Sequence, residues 1–266
     1  MQKDVTLQDV VIKFAGDSGD GMQLTGQQFT NNTALLGIDL ATFPDFPAEI
    51  RAPIGTLPGV SGFQVHFSSD RVFTPGDICD VLVAMNAAAL KVNLKNIKKG
   101  GKIIANIDGF DTKNLRLANY PDGVNPLEDG SLDGYELTKV DVTKLTRESL
   151  KEFTDLGVKE RDRAKNMFVL GLIYWLYNRD LDTTISFLKE KFGKKETILN
   201  SNIAVLKAGY YYGETAELFT TRYKVERATM EPGTYRSIMG NQALSMGLVA
   251  AAQKANLPLF LGSYPI

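Results

Sequence analysis

The sequence has a single cysteine and a single histidine, and this scarcity excludes several kinds of site. Cys79 alone cannot form an internal disulfide, and one thiol cannot hold an iron–sulfur cluster or a structural zinc ion. The same scarcity argues against a metal site built on histidine and cysteine, so we expect no metal site in this chain. The shortage of cysteine fits a reducing, cytoplasmic environment best.

An excess of charge of either sign is also missing. The 266 residues include 30 lysines and arginines and 31 aspartates and glutamates, which leaves a formal net charge of -1. No long-range field therefore attracts nucleic acid or an anionic membrane surface. No apolar run approaches the roughly 20 residues that span a bilayer, and residues 1–9 lack the apolar region of a signal peptide. We expect neither a nucleic-acid partner nor a membrane location.

Short apolar runs alternate with helical segments through the first half of the chain. Strands are predicted at residues 10–14, 38–43, 62–67, 80–85, 102–107 and 135–142, and helices at residues 22–36 and 87–97. Gly37 is placed to end the first helix, and Gly100-Gly101 to end the second. This alternation predicts an α/β fold with a Rossmann-like, mostly parallel sheet and helices on both faces.

The second half of the chain is mainly helical in its pattern. Helices are predicted at residues 144–153, 161–177, 182–192 and 195–218, and a polar linker at residues 220–233. Beyond it lie a small-residue helix at 237–255 and an apolar strand at 257–261, which cannot cover each other's apolar faces. We expect a first domain at 1–200, a helical linker at 201–233, and the truncated start of a second α/β domain at 234–266.

The loop Gly16–Gly21 follows a predicted strand and precedes a predicted helix, where open α/β sheets place ligands. Its backbone N–H groups suit an anion, although its spacing is G-x-x-G-x-G and not that of a dinucleotide site. Asp17 and Asp20 would repel a phosphate at close range unless they turn outward. Ser18 or Asp20 is available to cap the helix. A glycine turn without a ligand explains the pattern equally well.

Three more polar positions are candidates, each with a purely structural alternative. Arg51 lies in a proline-rich loop and either binds a phosphate or carboxylate or pairs with Glu49. Asn86 follows a strand, so it either faces a ligand or caps the next helix. Lys165 and Asn166 either face a cleft or form the first turn of a buried helix.

Ser18 is also a candidate nucleophile of a hydrolase, because similar strings surround catalytic serines in hydrolases. A serine nucleophile needs a base, and His66 is the only histidine. The alternation of residues 62–67 places His66 on the polar side of a strand, away from a triad. Hydrolysis is therefore a distant third interpretation.

Four strings, taken in order, resemble the gamma domain of 2-oxoacid:ferredoxin oxidoreductases. They are residues 11–21, Glu49-Ile50-Arg51, residues 80–86 and residues 165–171. Further on, Gly240-Asn241-Gln242-Ala243 and residues 262–266 resemble the start of the alpha domain, which binds the pyrimidine of thiamine diphosphate. A gamma domain fused ahead of an alpha domain is most similar to the alpha subunit of 2-oxoglutarate:ferredoxin oxidoreductase.

The resemblance implies CoA-dependent oxidative decarboxylation of a 2-oxoacid by a hetero-oligomer with a beta subunit and ferredoxin, and the likeness to the 2-oxoglutarate enzyme implies 2-oxoglutarate as the substrate. Thiamine diphosphate, Mg and [4Fe-4S] clusters belong to that complex, and this chain alone is expected to be inactive, without a catalytic residue of its own. Coenzyme A is expected to touch this domain. Its candidate coenzyme A or interface contacts are Gly16, Ser18, Gly19, Gly21, Arg51, Asn86 and Asn166. The alternative is a non-enzymatic, Rossmann-like module that binds a nucleotide or coenzyme A.

Overall fold

The computed structural model describes residues 3–49, 52–216 and 219–263. Its strands are β1 (Lys3–Leu7), β2 (Asp9–Asp17), β3 (Asp39–Asp45), β4 (Val60–Ser68), β5 (Cys79–Ala84), β6 (Ile97–Asn106), β7 (Glu136–Val140) and β8 (Thr221–Val225). Its helices are α1 (Met22–Leu35), α2 (Ala87–Asn93), α3 (Thr112–Leu117), α4 (Val142–Ser149), α5 (Val158–Asp162), α6 (Lys165–Leu176), α7 (Asp182–Phe192), α8 (Glu196–Thr215) and α9 (Gly240–Ala255).

Six strands form the main sheet in the order β3-β4-β2-β5-β6-β7. β2, β5, β6 and β7 run parallel, whereas β3 and β4 pair antiparallel at one edge. The predicted mostly parallel α/β sheet is therefore confirmed. The predicted end of the second helix is wrong, because Gly100 and Gly101 lie within β6.

Two apolar cores cover the two faces of this sheet. Alternate residues of β2 divide between them, since Ile12 and Phe14 face one core and Val11 and Ala15 face the other. α1, α6 and α8 contribute to the first core, and α2 contributes to the second. Burial on both faces explains why the central strands read as nearly continuous apolar runs.

α6 and α8 cross so closely that glycine is required at the contact. A Cβ at Gly171 would lie 2.0 Å from the carbonyl oxygen of Leu206, and a Cβ at Gly209 would lie 2.0 Å from that of Phe168. Both contacts are with backbone atoms, which cannot move aside cheaply. α6 is buried along almost its whole length, which accounts for its apolar sequence.

β1 and β8 form a separate two-stranded parallel sheet, which the sequence does not predict. The sequence predicts a polar linker at 220–233, but β8 lies within that segment. Both strands are five residues long and carry several charged or polar side chains, so they lack a strong strand pattern. Pairing across more than 200 residues of sequence stabilises them instead.

The chain divides into two compact units, Met1–Thr229 and Met230–Ile266. α8 continues through residue 200 and its Gly213 packs against Trp175, so residues 201–229 belong to the first unit. The sequence instead places a helical linker at 201–233. The naming of these parts as gamma domain, linker and alpha domain stays a prediction.

The second unit contains α9, which ends where Asn256 adopts a left-handed conformation with φ of 54°. The strand predicted at residues 257–261 is not formed, because an isolated extended segment has no neighbouring strand with which to pair. Residues 264–266 of the predicted alpha-domain signature lie outside the described residues.

Candidate functional site

The carboxyl ends of β2 and β5 lie side by side, and the chain leaves them in different directions. β2 leads through a short 3-10 turn, Ser18–Asp20, into α1, whereas β5 leads through Asn86 into α2. α1 and α2 pack in the two different cores on opposite faces of the sheet. Such a divergence opens the crevice in which open α/β sheets bind ligands.

Two glycines of the Gly16–Gly21 loop are required by close packing. A Cβ at Gly16 would lie 2.8 Å from Oδ2 of Asp20. Gly21 has φ of +74°, and a Cβ there would lie 3.0 Å from Cβ of Asn166. These two glycines therefore allow close packing, of Gly16 against Asp20 and of Gly21 against Asn166, and their predicted contact with coenzyme A stays a prediction.

Ser18 and Gly19 differ from these glycines because they are exposed. No heavy atom lies within 4 Å of the position that a Cβ on Gly19 would take. The loop therefore presents a hydroxyl and a bare stretch of backbone to its surroundings, next to the N-terminus of α1. N–H groups at such a position attract anions.

Asp17 and Asp20 are both engaged by donors within the protein. Oδ1 of Asp17 accepts a hydrogen bond from Gly55 N–H at 3.0 Å, and Oδ2 accepts one from the Asn86 amide at 2.8 Å. Asp20 accepts one from Asp17 N–H at 2.9 Å, and its other oxygen lies 3.4 Å from Nζ of Lys165. The predicted capping of α1 by Ser18 or Asp20 is wrong, since the cap position is Gly21 and Asp20 bonds backwards along the chain.

The charge of Asp17 depends on its partners. Asp17 is only 8% exposed, and this burial raises the pKa of its carboxyl above the usual value. The Gly55 N–H bond lowers the pKa, while the neighbouring charge of Asp20 raises it. The net direction of the pKa is upwards, because burial outweighs the donors that contact the carboxyl.

Asn86 caps the next helix, which is one of the two roles that the sequence left open, and it also contacts Asp17. Its Oδ1 accepts a hydrogen bond from Ala89 N–H at 2.8 Å and so caps α2, while its amide donates to Asp17. Gly109 fits directly beneath, because a Cβ there would lie 2.2 Å from the carbonyl oxygen of Met85. Asn86 is buried and therefore orders this end of the sheet.

Asn166 lies in the first turn of α6 and is likewise buried. Its carbonyl oxygen accepts a hydrogen bond from the Thr25 hydroxyl at 3.3 Å, which joins α6 to α1. Together with Lys165, it brings a polar helix start to the Gly16–Gly21 loop. The structure thus gathers six of the seven predicted site residues at one place.

The seventh residue, Arg51, lies outside the described residues. The part of the proline-rich loop that follows it, residues 52–59, meets the site at Gly55. Gly55 adopts φ of +83° and points its N–H at Asp17. Nothing local in the sequence marks Gly55 as a site residue, because its partner lies 38 positions away.

Gln23 is a second residue near the site that the sequence does not mark as a candidate. Its amide in the first turn of α1 donates to the carbonyl oxygens of Gly62 at 2.6 Å and Asp45 at 3.1 Å, and to the Ser61 hydroxyl at 3.1 Å. It therefore ties the start of α1 to β3 and β4. Its only signal in the sequence is that a polar residue occupies the first turn of a predicted helix.

His66 does not reach Ser18. It pairs in register with Val11, near the amino end of β2, whereas Ser18 follows the carboxyl end. Seven residues of strand at about 3.3 Å each separate the two positions by about 23 Å. His66 instead contacts Asp9 and the carbonyl oxygen of Thr74, both at 2.6 Å. The arrangement gives Ser18 no histidine base.

Cys79 is buried, and that burial raises the pKa of its thiol to about 11. It is therefore protonated at neutral pH and is a poor ligand for a cluster. Within residues 3–49, 52–216 and 219–263, no group of three or more His, Cys, Asp and Glu side chains is placed to hold a metal ion. Over the same ranges, no helix is both long enough and apolar enough to cross a membrane.

Residues 11–212 match the family described as pyruvate ferredoxin/flavodoxin oxidoreductase. The chain is 52% identical over 260 residues to the 2-oxoglutarate oxidoreductase subunit KorA of Mycobacterium tuberculosis. That alignment covers 98% of this chain but 39% of the relative. The chain therefore spans well under half the length of this curated relative.

Two solved structures are similar in fold. The first is a 2-oxoglutarate:ferredoxin oxidoreductase from Magnetococcus marinus with 2-oxoglutarate, coenzyme A and succinyl-CoA bound. It matches with a TM-score of 0.69 and 27% identity over 91% of this chain and 37% of that one. The second is the gamma subunit of a keto/oxoacid ferredoxin oxidoreductase from Geobacter sulfurreducens, with a TM-score of 0.52 and 17% identity over 77% of this chain and 98% of that one. The second likeness concerns the fold alone.

Proposed function

Since the chain belongs to the pyruvate ferredoxin/flavodoxin oxidoreductase family, we propose that it is the gamma-domain portion of a 2-oxoglutarate:ferredoxin oxidoreductase subunit. The observation that carries this proposal is the 52% identity to a 2-oxoglutarate oxidoreductase subunit over nearly the whole chain. A subunit of an enzyme for another 2-oxoacid is not expected to be this similar in sequence to a subunit of a 2-oxoglutarate enzyme. The substrate is therefore 2-oxoglutarate.

The gamma assignment applies to the first unit. A separate gamma subunit from Geobacter sulfurreducens shares this fold along 98% of its own length, which supports a gamma domain as a self-contained sheet and helix unit. Residues 234–266 are the start of the alpha domain. Support for this comes from Gly240-Asn241-Gln242-Ala243, which lies in the first turn of α9.

The reaction is the CoA-dependent oxidative decarboxylation of 2-oxoglutarate. Thiamine diphosphate, held with Mg by the alpha and beta parts of the complex, supplies the carbanion chemistry that releases carbon dioxide. In the whole complex, [4Fe-4S] clusters would carry electrons to ferredoxin, and the thiol of coenzyme A would accept the acyl group. The described residues do not fit a cluster, because the lone thiol of Cys79 is buried and protonated. We assign the clusters to the beta subunit, as the family resemblance implies.

This chain contributes binding and orientation to that reaction. The phosphates of coenzyme A lie against the exposed turn of Ser18 and Gly19, at the positive end of α1. The acidic pair does not prevent this, because donors within the protein engage both carboxylates and Lys165 lies beside Asp20. Arg51, which lies outside the described residues, is the proposed source of a further positive charge. Asn86 and Asn166 fix the walls of the site.

The test is to recover the full-length subunit from its native cells and to assay the recovered material. Recovery with an iron–sulfur beta subunit, together with dye reduction that needs both 2-oxoglutarate and coenzyme A, supports the proposal. Parallel assays with pyruvate and a branched-chain 2-oxoacid check the substrate. A colourless, inactive protein that still binds coenzyme A would instead identify a non-enzymatic binding module, and the oxidoreductase assignment would then be wrong.

A further inference from the structure

Asp17 joins three segments of the first unit that are far apart in the sequence. Its own position ends β2, one carboxylate oxygen accepts from Gly55 in the proline-rich loop, and the other accepts from Asn86 at the start of α2. We infer that Asp17 is a positioning residue, which fixes residues 52–59 against the turn of Ser18 and Gly19. This role in the coenzyme A site rests on the proposed function of that turn.

The hydrogen bond to Asp17 is the anchor of the loop. Within residues 52–59, the other hydrogen bonds of the described structure remain local, from Ala52 N–H to Glu49, from Thr56 to Pro53, and from Gly59 N–H to Thr56. The bond from Gly55 N–H is the one that leaves the loop for the body of the unit. Removing its acceptor therefore takes away the hydrogen bond that ties the loop to the end of β2, while the packing of Leu57 against the second core stays in place.

The bond also has a demanding geometry. Gly55 points its N–H inward only because its backbone adopts the left-handed region, with φ of +83°. On its outer side, a Cβ would lie 3.2 Å from the Leu117 side chain. The bond therefore needs an acceptor at position 17, and either a carboxylate oxygen or an amide oxygen can serve as that acceptor.

The hydrogen bonds around Asp17 can be preserved while its charge is moved. Asp17 accepts from Gly55 N–H and from the Asn86 amide, and Asn86 accepts from Ala89 N–H. In the double variant Asp17→Asn/Asn86→Asp, here called the exchanged pair, the two side chains trade places. The amide oxygen of the new asparagine accepts from Gly55 N–H, and its amide nitrogen donates to the new carboxylate at position 86. That carboxylate still accepts from Ala89. All three bonds survive, which makes this double variant the matched control for Asp17→Ala.

The experiment measures hydrogen exchange in peptides covering residues 52–59 of the full-length subunit. We expect Asp17→Ala to speed exchange at Gly55 about tenfold or more, as loss of a hydrogen bond to a charged group implies. The exchanged pair should retain the protection of the native protein. Unchanged protection in a folded Asp17→Ala variant would overturn the inference. If Asp17→Ala does not fold, the exchanged pair decides, and an unprotected Gly55 in that pair overturns it.

A kinetic readout separates this inference from the proposed function. In the active complex, Asp17→Ala should raise KM for coenzyme A several-fold, leave KM for 2-oxoglutarate unchanged, and be rescued by the exchanged pair. If the loop loosens and is rescued while KM for coenzyme A stays constant, Asp17 anchors the loop but the turn does not bind coenzyme A. That result would remove the proposed coenzyme A site and leave the anchor in place.

Discussion

The two ends of the main sheet are built from different kinds of interaction. At the carboxyl end, the polar side chains are buried and interlocked, as in the contacts of Asp17 with Asn86 and of Asn106 with the Met85 carbonyl oxygen. At the amino end, the charged pairs lie nearer to solvent, as in Lys98 with Asp80. A cavity of about 280 Å³ adjoins that end, where the main sheet faces Leu7 and Tyr223 of the β1–β8 pair.

This difference separates a preorganised end from a tolerant one. Buried hydrogen bonds with named partners on both sides hold atoms in one arrangement, and removing one partner leaves a buried polar group unsatisfied. Exposed ion pairs contribute little and are easily replaced by water. A ligand that must be held in one orientation is therefore better served by the carboxyl end, where the candidate site lies.

The largest expected difference between the two ends comes from adding one methyl group at each. Gly109→Ala would place Cβ 2.2 Å from the Met85 carbonyl oxygen, whereas at Gly134, before β7, no heavy atom lies within 4 Å. We expect Gly109→Ala to lower the free energy of unfolding by about 3 kcal/mol and Gly134→Ala to change it little. Urea unfolding of both variants measures this. Equal stability would mean that the carboxyl end adapts as easily as the amino end.

A smaller effect is expected from the titration of His66 at the amino end. Asp9 and the Thr74 carbonyl oxygen both accept hydrogen bonds, so both ring nitrogens must carry protons. Burial lowers the pKa of His66, but the bonds to Asp9 and Thr74 raise it, and the net direction is upwards. The folded protein therefore binds this proton more tightly than the unfolded chain does.

The sign of the pH dependence follows from that preference. The contribution of His66 is complete below its unfolded pKa of about 6.5 and is lost as the pH rises through its folded pKa. Because the pair is partly exposed, we expect a loss of less than about 1 kcal/mol. An NMR titration of this sole histidine should give a midpoint above the usual value, and Asp9→Asn should lower it. A midpoint at or below the usual value would contradict the pair of hydrogen bonds from His66 to Asp9 and to Thr74.

Asp17 at the carboxyl end follows the same sign in a different pH range. Its raised pKa means that stability falls as the pH rises from about 3.8 through the folded pKa, and no further change follows above it. Asp17→Asn/Asn86→Asp moves the carboxyl group and should shift this acid range without altering the His66 range. Unfolding curves from about pH 3 to pH 6 cover the range of Asp17, and curves above about pH 6.5 cover the range of His66, so a series over both intervals separates the two.

The smallest expected effect is the loss of the Lys98 ion pair. Nζ of Lys98 lies 3.2 Å from Asp80, and its side chain is 67% exposed. Asp80 keeps the Val11 N–H as a donor when the lysine is removed. We expect Lys98→Met to change the free energy of unfolding by no more than about 0.5 kcal/mol. A loss several times larger would show that the amino end is as interlocked as the carboxyl end.

Strongly patterned elements were predictable from the sequence, and elements stabilised by distant pairing were not. α7 was predicted at its observed bounds, because its apolar and polar residues recur with the period of a helix. β8 was missed because its residues are mostly polar and its partner is β1, at the other end of the first unit. Propensity within a short window carries no information about such pairing.

The candidate site was predictable in its residues but not in its connections. The glycines of the Gly16–Gly21 loop and the polar residues after β5 mark the carboxyl ends of neighbouring strands, so their proximity follows from the fold class. The partner of Asp17 does not, since Gly55 acts through its backbone N–H and no side chain marks it. From the sequence, Asp17 and Asp20 are therefore expected to repel a phosphate. In the structure, both carboxylates instead accept hydrogen bonds from donors within the protein.

The central claim, that the turn of Ser18 and Gly19 receives the phosphates of coenzyme A, is tested most directly by one change of charge. Gly19→Asp and its neutral match Gly19→Asn both enter open space, so both should fold. We expect Gly19→Asp to raise KM for coenzyme A about tenfold or more through repulsion between like charges, while KM for 2-oxoglutarate stays constant. Gly19→Asn should resemble the native enzyme. The same KM for coenzyme A in both variants would contradict the account.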